Sequence, residues 1–179
     1  MNTMRPEHLL QIRLELNWLE PPIWRRLIVP DSITLKQLHK LILTAMGWSD
    51  KHLHEFIFAD KRYGKAESGS SILSENIRRL GPCLGTLKTF NYIYDFGDNW
   101  EFTLEVEKVH PLNAFDRYPT CIDGARAAPP EDVGGPPGFM EFLENVSNPL
   151  HPGYQDAIDW VGGKFDPAQF ENPYSKSKK

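Results

Sequence analysis

The chain has 179 residues, of which 40% are hydrophobic and 25% charged, a balance typical of a soluble globular protein with one domain. The net charge of −4 gives no general attraction to nucleic acid, and no apolar run is long enough to cross a bilayer. Because Arg13 and Glu15 interrupt the first apolar stretch, it does not resemble a signal peptide, and we expect a cytoplasmic protein without a membrane partner.

The N-terminal third predicts two strands followed by a helix. Apolar and polar side chains alternate between residues 9 and 18, which is the period of a strand with one buried face. A second short strand is expected at 23–29. Thr34 is a good N-cap with a glutamine three residues later, and Gly47 suits a left-handed end, so a helix is predicted over 35–46.

The rest of the chain alternates between predicted strands, helices and loops. Polar, glycine-bearing residues predict a loop at 60–71, and dense proline and glycine predict an ordered loop at 119–138. The other elements are strands at 52–58, 90–96 and 100–109, a helix at 75–80 capped by Ser74, helices at 138–146 and 154–161, and a short helix after Asp166. No regular βαβ rhythm is present. This pattern predicts an α+β fold, a single domain over 1–172 with a largely antiparallel sheet and several packed helices, followed by a disordered basic tail at 173–179.

The charges and cysteines suggest no special framework. Residues 1–90 carry a net +4 and residues 91–179 a net −8, and we expect the two halves to pair within one fold. Cys83 and Cys121 do not form a Cys-x-x-Cys pair, so we expect free thiols.

The stretch YDFGDNW at 94–100 places Asp95 and Asp98 between two predicted strands. A hairpin turn explains most of the residue types in this stretch, because Gly, Asp and Asn accept the positive φ of a hairpin. We expect a two-residue connection at 97–98 or 98–99, with Gly97 at positive φ. Asp95 needs a partner in a half-buried position, and the candidates are Arg25, Arg26 or a backbone N–H.

His52 and His54 form a second candidate site. Two residues apart on a strand, they would point the same way, as a metal-binding pair does. A metal site needs three or four ligands, and the acids that would complete it are Asp95, Asp98, Glu131 and Asp132. The alternative is two histidines engaged in ordinary hydrogen bonds.

We expect any site to lie where the loop at 119–138 meets the YDFGDNW hairpin. Glu131 and Asp132 stand between two rigid proline pairs, so the loop can hold both carboxylates in fixed positions. Four acids would repel one another unless cations neutralise them. The available arginines are Arg25, Arg26 and Arg126. We expect them to neutralise the acids without a cofactor, and a divalent metal is the alternative.

Other signatures are weak or absent. Residues 38–56 are compatible with a helix-turn-helix, but only Lys51 supplies a fixed charge in the recognition segment, so we expect a helix followed by a strand. No nucleophile elbow, phosphate loop or dinucleotide glycine motif occurs.

Six motifs in order resemble the plasmid pRiA4b ORF-3-like proteins, some of which are labelled passenger proteins of insertion elements or resolvases. The motifs are PPIWRR, TLKQLHKLILTAMGW, HLHEF, YDFGDNWEF, CIDGARAAPPEDVGG and FDP..F. The resemblance implies one α+β domain and an association with mobile elements. Relatives often carry His where this chain has Phe102, and Cys where it has Ala128 and Val133, so only Cys121 of that set is present.

Three functions follow from these observations. The first is a non-enzymatic binding or interaction module whose partner is a protein or a small molecule. The second is a metal-dependent hydrolase that uses the Asp, Glu and His residues named above. The third is a DNA-associated accessory protein, which the net charge makes the least favoured.

Overall fold

The structure is a computed structural model that describes residues 6–66 and 71–175. Its strands are β1 (Leu9–Leu16), β2 (Trp24–Pro30), β3 (His54–Phe58), β4 (Lys61–Gly64), β5 (Leu73–Ser74), β6 (Thr89–Tyr94), β7 (Trp100–His110) and β8 (Thr120–Ala125). Its α-helices are α1 (Leu35–Met46), α2 (Leu80–Leu84), α3 (Gly135–Ser147) and α4 (Tyr154–Trp160). The predicted α+β fold with a largely antiparallel sheet is confirmed.

Within these residues the strands form one sheet in the order β5-β4-β3-β6-β7-β1-β2-β8. All pairings are antiparallel except that of β4 with the short β5. The alternation in β1 is confirmed, since Ile12, Leu14 and Leu16 are buried. Strands from the basic and the acidic halves are interleaved, and Arg26 of β2 pairs with Glu107 of β7 across the two halves.

Helix α1 begins and ends as its sequence predicts. Thr34 and Gln37 form the complete capping box, and Gly47 closes the helix at φ 71°. The buried stripe, which includes Leu38 and Ile42, packs against the sheet because burying apolar area is the main favourable term in folding. His39 lies on this stripe and is 2% exposed.

Two predicted loops contain strands. Strand β4 lies in the predicted loop at 60–71, and β8 occupies the first part of the predicted loop at 119–138, so that loop spans only 126–134. In β8, Gly124 is required by a close approach, since a Cβ there would lie 2.9 Å from the Trp24 carbonyl oxygen. The glycine that suggested a loop therefore permits strand pairing.

Two predicted helices are wrong. Ser74 belongs to β5, and α2 starts at Leu80, so Gly81 and Pro82 lie in its first turn, where proline leaves no hydrogen bond unmade. After Asp166 the chain makes a turn in which its carboxylate accepts from the backbone N–H of Ala168 at 3.0 Å.

The C-terminal segment is ordered as far as the structure describes it. Residues 173–175 form a turn, and Tyr174 packs against the core. Residues 176–179 of the predicted tail lie outside the described residues.

Candidate functional site

The candidate site lies where the segment after α1, the connection between β6 and β7 and the loop at 126–134 meet. Glu131 joins two of these segments, because its Oε2 accepts from the Ser49 N–H at 2.9 Å and from the Ser49 hydroxyl at 2.7 Å. The Tyr94 hydroxyl lies 3.1 Å from Glu131 Oε1 and also bonds to the Ser49 carbonyl. The indole N–H of Trp48 donates to the Pro129 carbonyl at 2.8 Å. Burial and the nearby Glu131 carboxylate raise the pKa of Tyr94 to about 12.

The connection between β6 and β7 spans five residues, 95–99, because Tyr94 pairs with Trp100. The predicted two-residue turn is therefore wrong. The positive φ values fall on Asp95 (57°) and Asn99 (54°), and Gly97 does not adopt one. Asp95 Oδ1 accepts from the Gly97 N–H at 3.0 Å. The aspartate side chain therefore stabilises the turn, and no positive φ at Gly97 is needed.

Asp98 faces the start of α3. Its Oδ2 accepts from the backbone N–H of Gly134 at 3.1 Å. Gly135 follows at φ 67°, where a Cβ would lie 2.3 Å from the Asp98 carbonyl oxygen. The close approach requires glycine here, and it holds the loop at 126–134 against the β6–β7 connection.

His52 lies between two carboxylates. Its Nδ1 is 3.5 Å from Asp95 Oδ2, and its Nε2 is 3.1 Å from Asp132 Oδ1. The second contact lacks hydrogen-bonding geometry, and in the described part of the chain Nε2 is the one buried side-chain nitrogen or oxygen without a hydrogen-bond partner. Ligand atoms of the three side chains lie within 4.8 Å of one another.

A second cluster centres on His39 and His54, whose rings stack at 3.4 Å between centroids with 7° between their planes. Nε2 of His39 is 3.0 Å from Asp50 Oδ1, and its Nδ1 is 2.7 Å from the Tyr92 hydroxyl. A carboxylate can only accept, so Nε2 carries the proton and the tyrosine donates to Nδ1. Burial lowers the pKa of His39, which agrees with a neutral ring.

The partner of His54 in this cluster is Glu75, at 2.6 Å from Nε2 to Oε2. Ligand atoms of His39, Asp50 and His54 lie within 4.8 Å of one another. The two imidazole planes are nearly parallel, however, so their in-plane lone pairs run side by side and do not converge on one ion. The cluster as it stands is a hydrogen-bonded network.

Comparison with known proteins supplies the family. The sequence matches the family described as "Plasmid pRiA4b ORF-3-like protein" over residues 8–173. The chain belongs to this family. It is 34% identical over 157 residues to the uncharacterized protein y4hQ of Sinorhizobium fredii, covering 86% of this chain and 80% of that protein. The crystal structure of MM3350 from Methanosarcina mazei Go1, a protein of unknown function, superposes with a TM-score of 0.87 at 37% identity, covering 97% of this chain and all of that one.

For this member of the pRiA4b ORF-3-like family, the two histidines of HLHEF belong to different clusters. His52 precedes β3 and only His54 lies on it, so the expectation of one histidine pair on a strand is wrong. The residues after α1 reach β3 without a second helix, and the expected helix followed by a strand is confirmed. No helix in the described residues has the length and apolarity to cross a membrane.

The arginines do not neutralise the acids of the site. Arg25, 2% exposed, donates to the carbonyls of Trp24, Ala45 and Ala125 at 2.8–3.0 Å and lies under the Phe170 ring. Burial lowers its pKa to about 10. Arg26 binds Glu107 with two hydrogen bonds and Asp123 with one. The expected pairing of Arg25 and Arg26 with Asp95 and Glu131 is therefore wrong, because both guanidinium groups are engaged elsewhere. Arg126, the third candidate, lines a separate cavity with Phe139 and Met140 and makes no ion pair to these acids in the described residues.

The family's Cys/His positions form no ligand set in the part of the chain described. Phe102 is 1% exposed in the core, and Cys121 donates its thiol to the Asp123 carbonyl. Burial raises the pKa of Cys121, so it remains a thiol.

The sequence reasoning missed His39, Asp50 and Glu75. One signal for His39 was available, since it lies one residue after Leu38 and three before Ile42 on the apolar stripe of α1. A polar side chain on a buried stripe needs hydrogen-bond partners, and the partners come from distant elements that periodicity does not locate.

Proposed function

We propose that the protein is a binding module that holds a divalent metal ion between His52 Nε2 and Asp132, with Asp95 facing the other nitrogen of the His52 ring. The observation that carries this proposal is the buried Nε2 of His52, which makes no hydrogen bond although Asp132 Oδ1 lies 3.1 Å away. An unpaired buried polar atom costs about 1–3 kcal/mol, and a metal ion would satisfy it. An imidazole nitrogen and a carboxylate oxygen are donors that suit Zn²⁺ or Mn²⁺.

The distances support a shared ion. Two ligands that each lie about 2.1 Å from a metal are about 3.0 Å apart at the right angle of an octahedral site and about 3.4 Å apart at a tetrahedral angle. The separation of His52 Nε2 and Asp132 Oδ1 is 3.1 Å, although the pair lacks hydrogen-bonding geometry. A position between the two atoms therefore accommodates an ion without a large movement of either side chain.

Asp95 supports the same proposal from the other side of the ring. Its carboxylate faces Nδ1 at 3.5 Å, as in carboxylate–histidine–metal arrangements, where the outer carboxylate fixes the tautomer and leaves Nε2 free to bind the metal. Hydrogen bonds from the Gly97 and Asp98 backbone hold this carboxylate in place. The carboxylate is thus fixed beside the imidazole before any ion arrives.

A metal-dependent hydrolase is the second candidate. It is favoured by the small number of protein ligands, which leaves coordination positions for water or substrate. Asp132 is exposed, with 61% of its side chain accessible, so a substrate could reach an ion from that side. The association with mobile elements remains a prediction from the family resemblance.

Metal titration by calorimetry, with Zn²⁺, Mn²⁺ and Mg²⁺ in turn, tests the proposal. We expect saturable binding of Zn²⁺ or Mn²⁺ that His52→Ala and Asp132→Asn each weaken about tenfold or more, the equivalent of about 1.4 kcal/mol. His8→Ala is the matched control, because His8 is an exposed histidine 3.6 Å from Asp31. Absence of saturable binding, or equal binding by the His52 variant, would overturn the proposal.

A further inference from the structure

A cavity of about 580 Å³ opens between α1, the segment after it and the strands β3 to β5. Its lining includes His39, His54, Glu75, Lys36, Lys51 and Lys65. The volume is in the range of small-molecule sites, which bury most of a ligand in about 300–1,000 Å³.

His54 offers this cavity an unused hydrogen-bonding atom. Its side chain is 8% exposed, and its Nε2 is bound to Glu75. His54 lines the cavity, and no hydrogen bond to its Nδ1 occurs within the described residues. The ring cannot turn freely, because it is stacked on His39 and fixed by Glu75. A ligand would therefore find this atom already oriented.

The charges around the cavity favour an anion. Lys36 comes from α1, Lys51 from the segment after it and Lys65 from the end of β4, and no ion pair involves them in the part of the chain described. Asp50 and Glu75 also line the cavity; each accepts a hydrogen bond from a histidine and keeps its charge. Three lysines and two carboxylates leave a net charge of +1, and the lysines are exposed on separate elements, where they can contact an anion.

We infer that this cavity binds a small phosphate-bearing ligand, with its phosphate against Lys36, Lys51 and Lys65 and a hydrogen-bonding group against Nδ1 of His54. A tetrahedral anion accepts from several lysines at once, because each ammonium group is a compact charge with three donors. The buried imidazole then selects ligands that carry a polar group beside the phosphate. His52 of the proposed metal site also lines the cavity, but none of the ligand contacts proposed here uses it, so the inference stands without a metal ion.

Calorimetric titration with glucose 6-phosphate, inorganic phosphate and glucose, all in the presence of EDTA, tests the inference. We expect saturable binding of glucose 6-phosphate, weaker binding of phosphate and none of glucose. Replacing the three lysines by glutamine (Lys36→Gln, Lys51→Gln, Lys65→Gln) should weaken glucose 6-phosphate binding about tenfold or more, because three charge pairs are lost together.

The matched control replaces three exposed lysines away from the cavity, Lys61→Gln, Lys88→Gln and Lys108→Gln, and changes the net charge equally. It should shift the affinity less than twofold, in contrast to the cavity variant. A second variant, His54→Gln, should weaken glucose 6-phosphate more than inorganic phosphate. Equal losses in the two lysine variants, binding of phosphate compounds only when metal is added, or no binding of any phosphate probe would each overturn the inference. The EDTA arm separates these failures from those of the metal proposal.

Discussion

Glu131 should contribute strongly to stability, because it joins the segment after α1 to the loop at 126–134. Glu131→Ala removes the acceptor for the Ser49 N–H and hydroxyl, and for the Tyr94 hydroxyl that is shared with the Ser49 carbonyl. Hydrogen bonds to a charged group are worth about 1.5–3 kcal/mol, and stranded donors add to the loss. We expect about 2–3 kcal/mol of destabilisation, which corresponds to about 4–12 °C in melting temperature for a chain of this size.

Urea unfolding monitored by tryptophan fluorescence measures this loss, with Glu141→Ala on the exposed face of α3 as the control. The double variant with Ser49→Ala should lose less than the sum of the two single losses, with a coupling energy of about 1 kcal/mol, because the two residues share the same bonds. A Glu131→Ala protein that unfolds within about 0.5 kcal/mol of the wild type would refute the reasoning, since surface substitutions stay in that range.

Two further predictions concern backbone packing and pH. Gly135→Ala should destabilise the protein by about 2 kcal/mol more than Gly47→Ala in the same unfolding assay. Both glycines have positive φ, but only at Gly135 would the added Cβ clash with a carbonyl oxygen, that of Asp98, at 2.3 Å. Equal losses of stability in the two variants would contradict the predicted clash. Hydrogen bonds from Arg26 lower the pKa of Glu107 from 4.5 to about 2, so its stabilisation is present above pH 4.5 and lost as the pH falls towards 2. Glu107→Gln should therefore cost about 1–2 kcal/mol at pH 7, and this difference should disappear near pH 2; a difference independent of pH would exclude the ion pair as its source.

Elements with a local signature were predictable, and those that depend on distant partners were not. Helix α1 carries its capping box and its terminal glycine within its own sequence. Strand β4 is short and polar and becomes a strand only through pairing with β3, so no periodicity marked it. Strand β8 was obscured by Gly124, whose role is a close contact with β2. Local sequence cannot report pairing energy that arises from another part of the chain.

In the candidate site, too, residue types could be predicted from the sequence, and contacts between distant elements could not. Residue types suggested one cluster of six side chains, and the structure places the ligand atoms of three of them, His52, Asp95 and Asp132, within 4.8 Å of one another. The other three, His54, Asp98 and Glu131, bond to other partners. The expectation for Arg25 was wrong because its partners are backbone carbonyls, which every residue carries and no motif reveals. The stacking of His39 on His54 depends on how α1 lies over the sheet, a tertiary feature beyond any spacing rule.

The sheet order also has a consequence for synthesis on the ribosome. The hairpin of β1 and β2 is made first, but its two edges are later covered by β7 and β8, which begin at Trp100 and Thr120. About seventy residues separate the end of β2 from β7, and translation at about 5–20 residues per second takes roughly 4–14 s to supply them. During that interval the hairpin presents unpaired backbone on both sides, with the apolar face of β1 uncovered. Open strand edges template pairing with other chains, and in this fold both edges of the hairpin are covered only after β8 has been made.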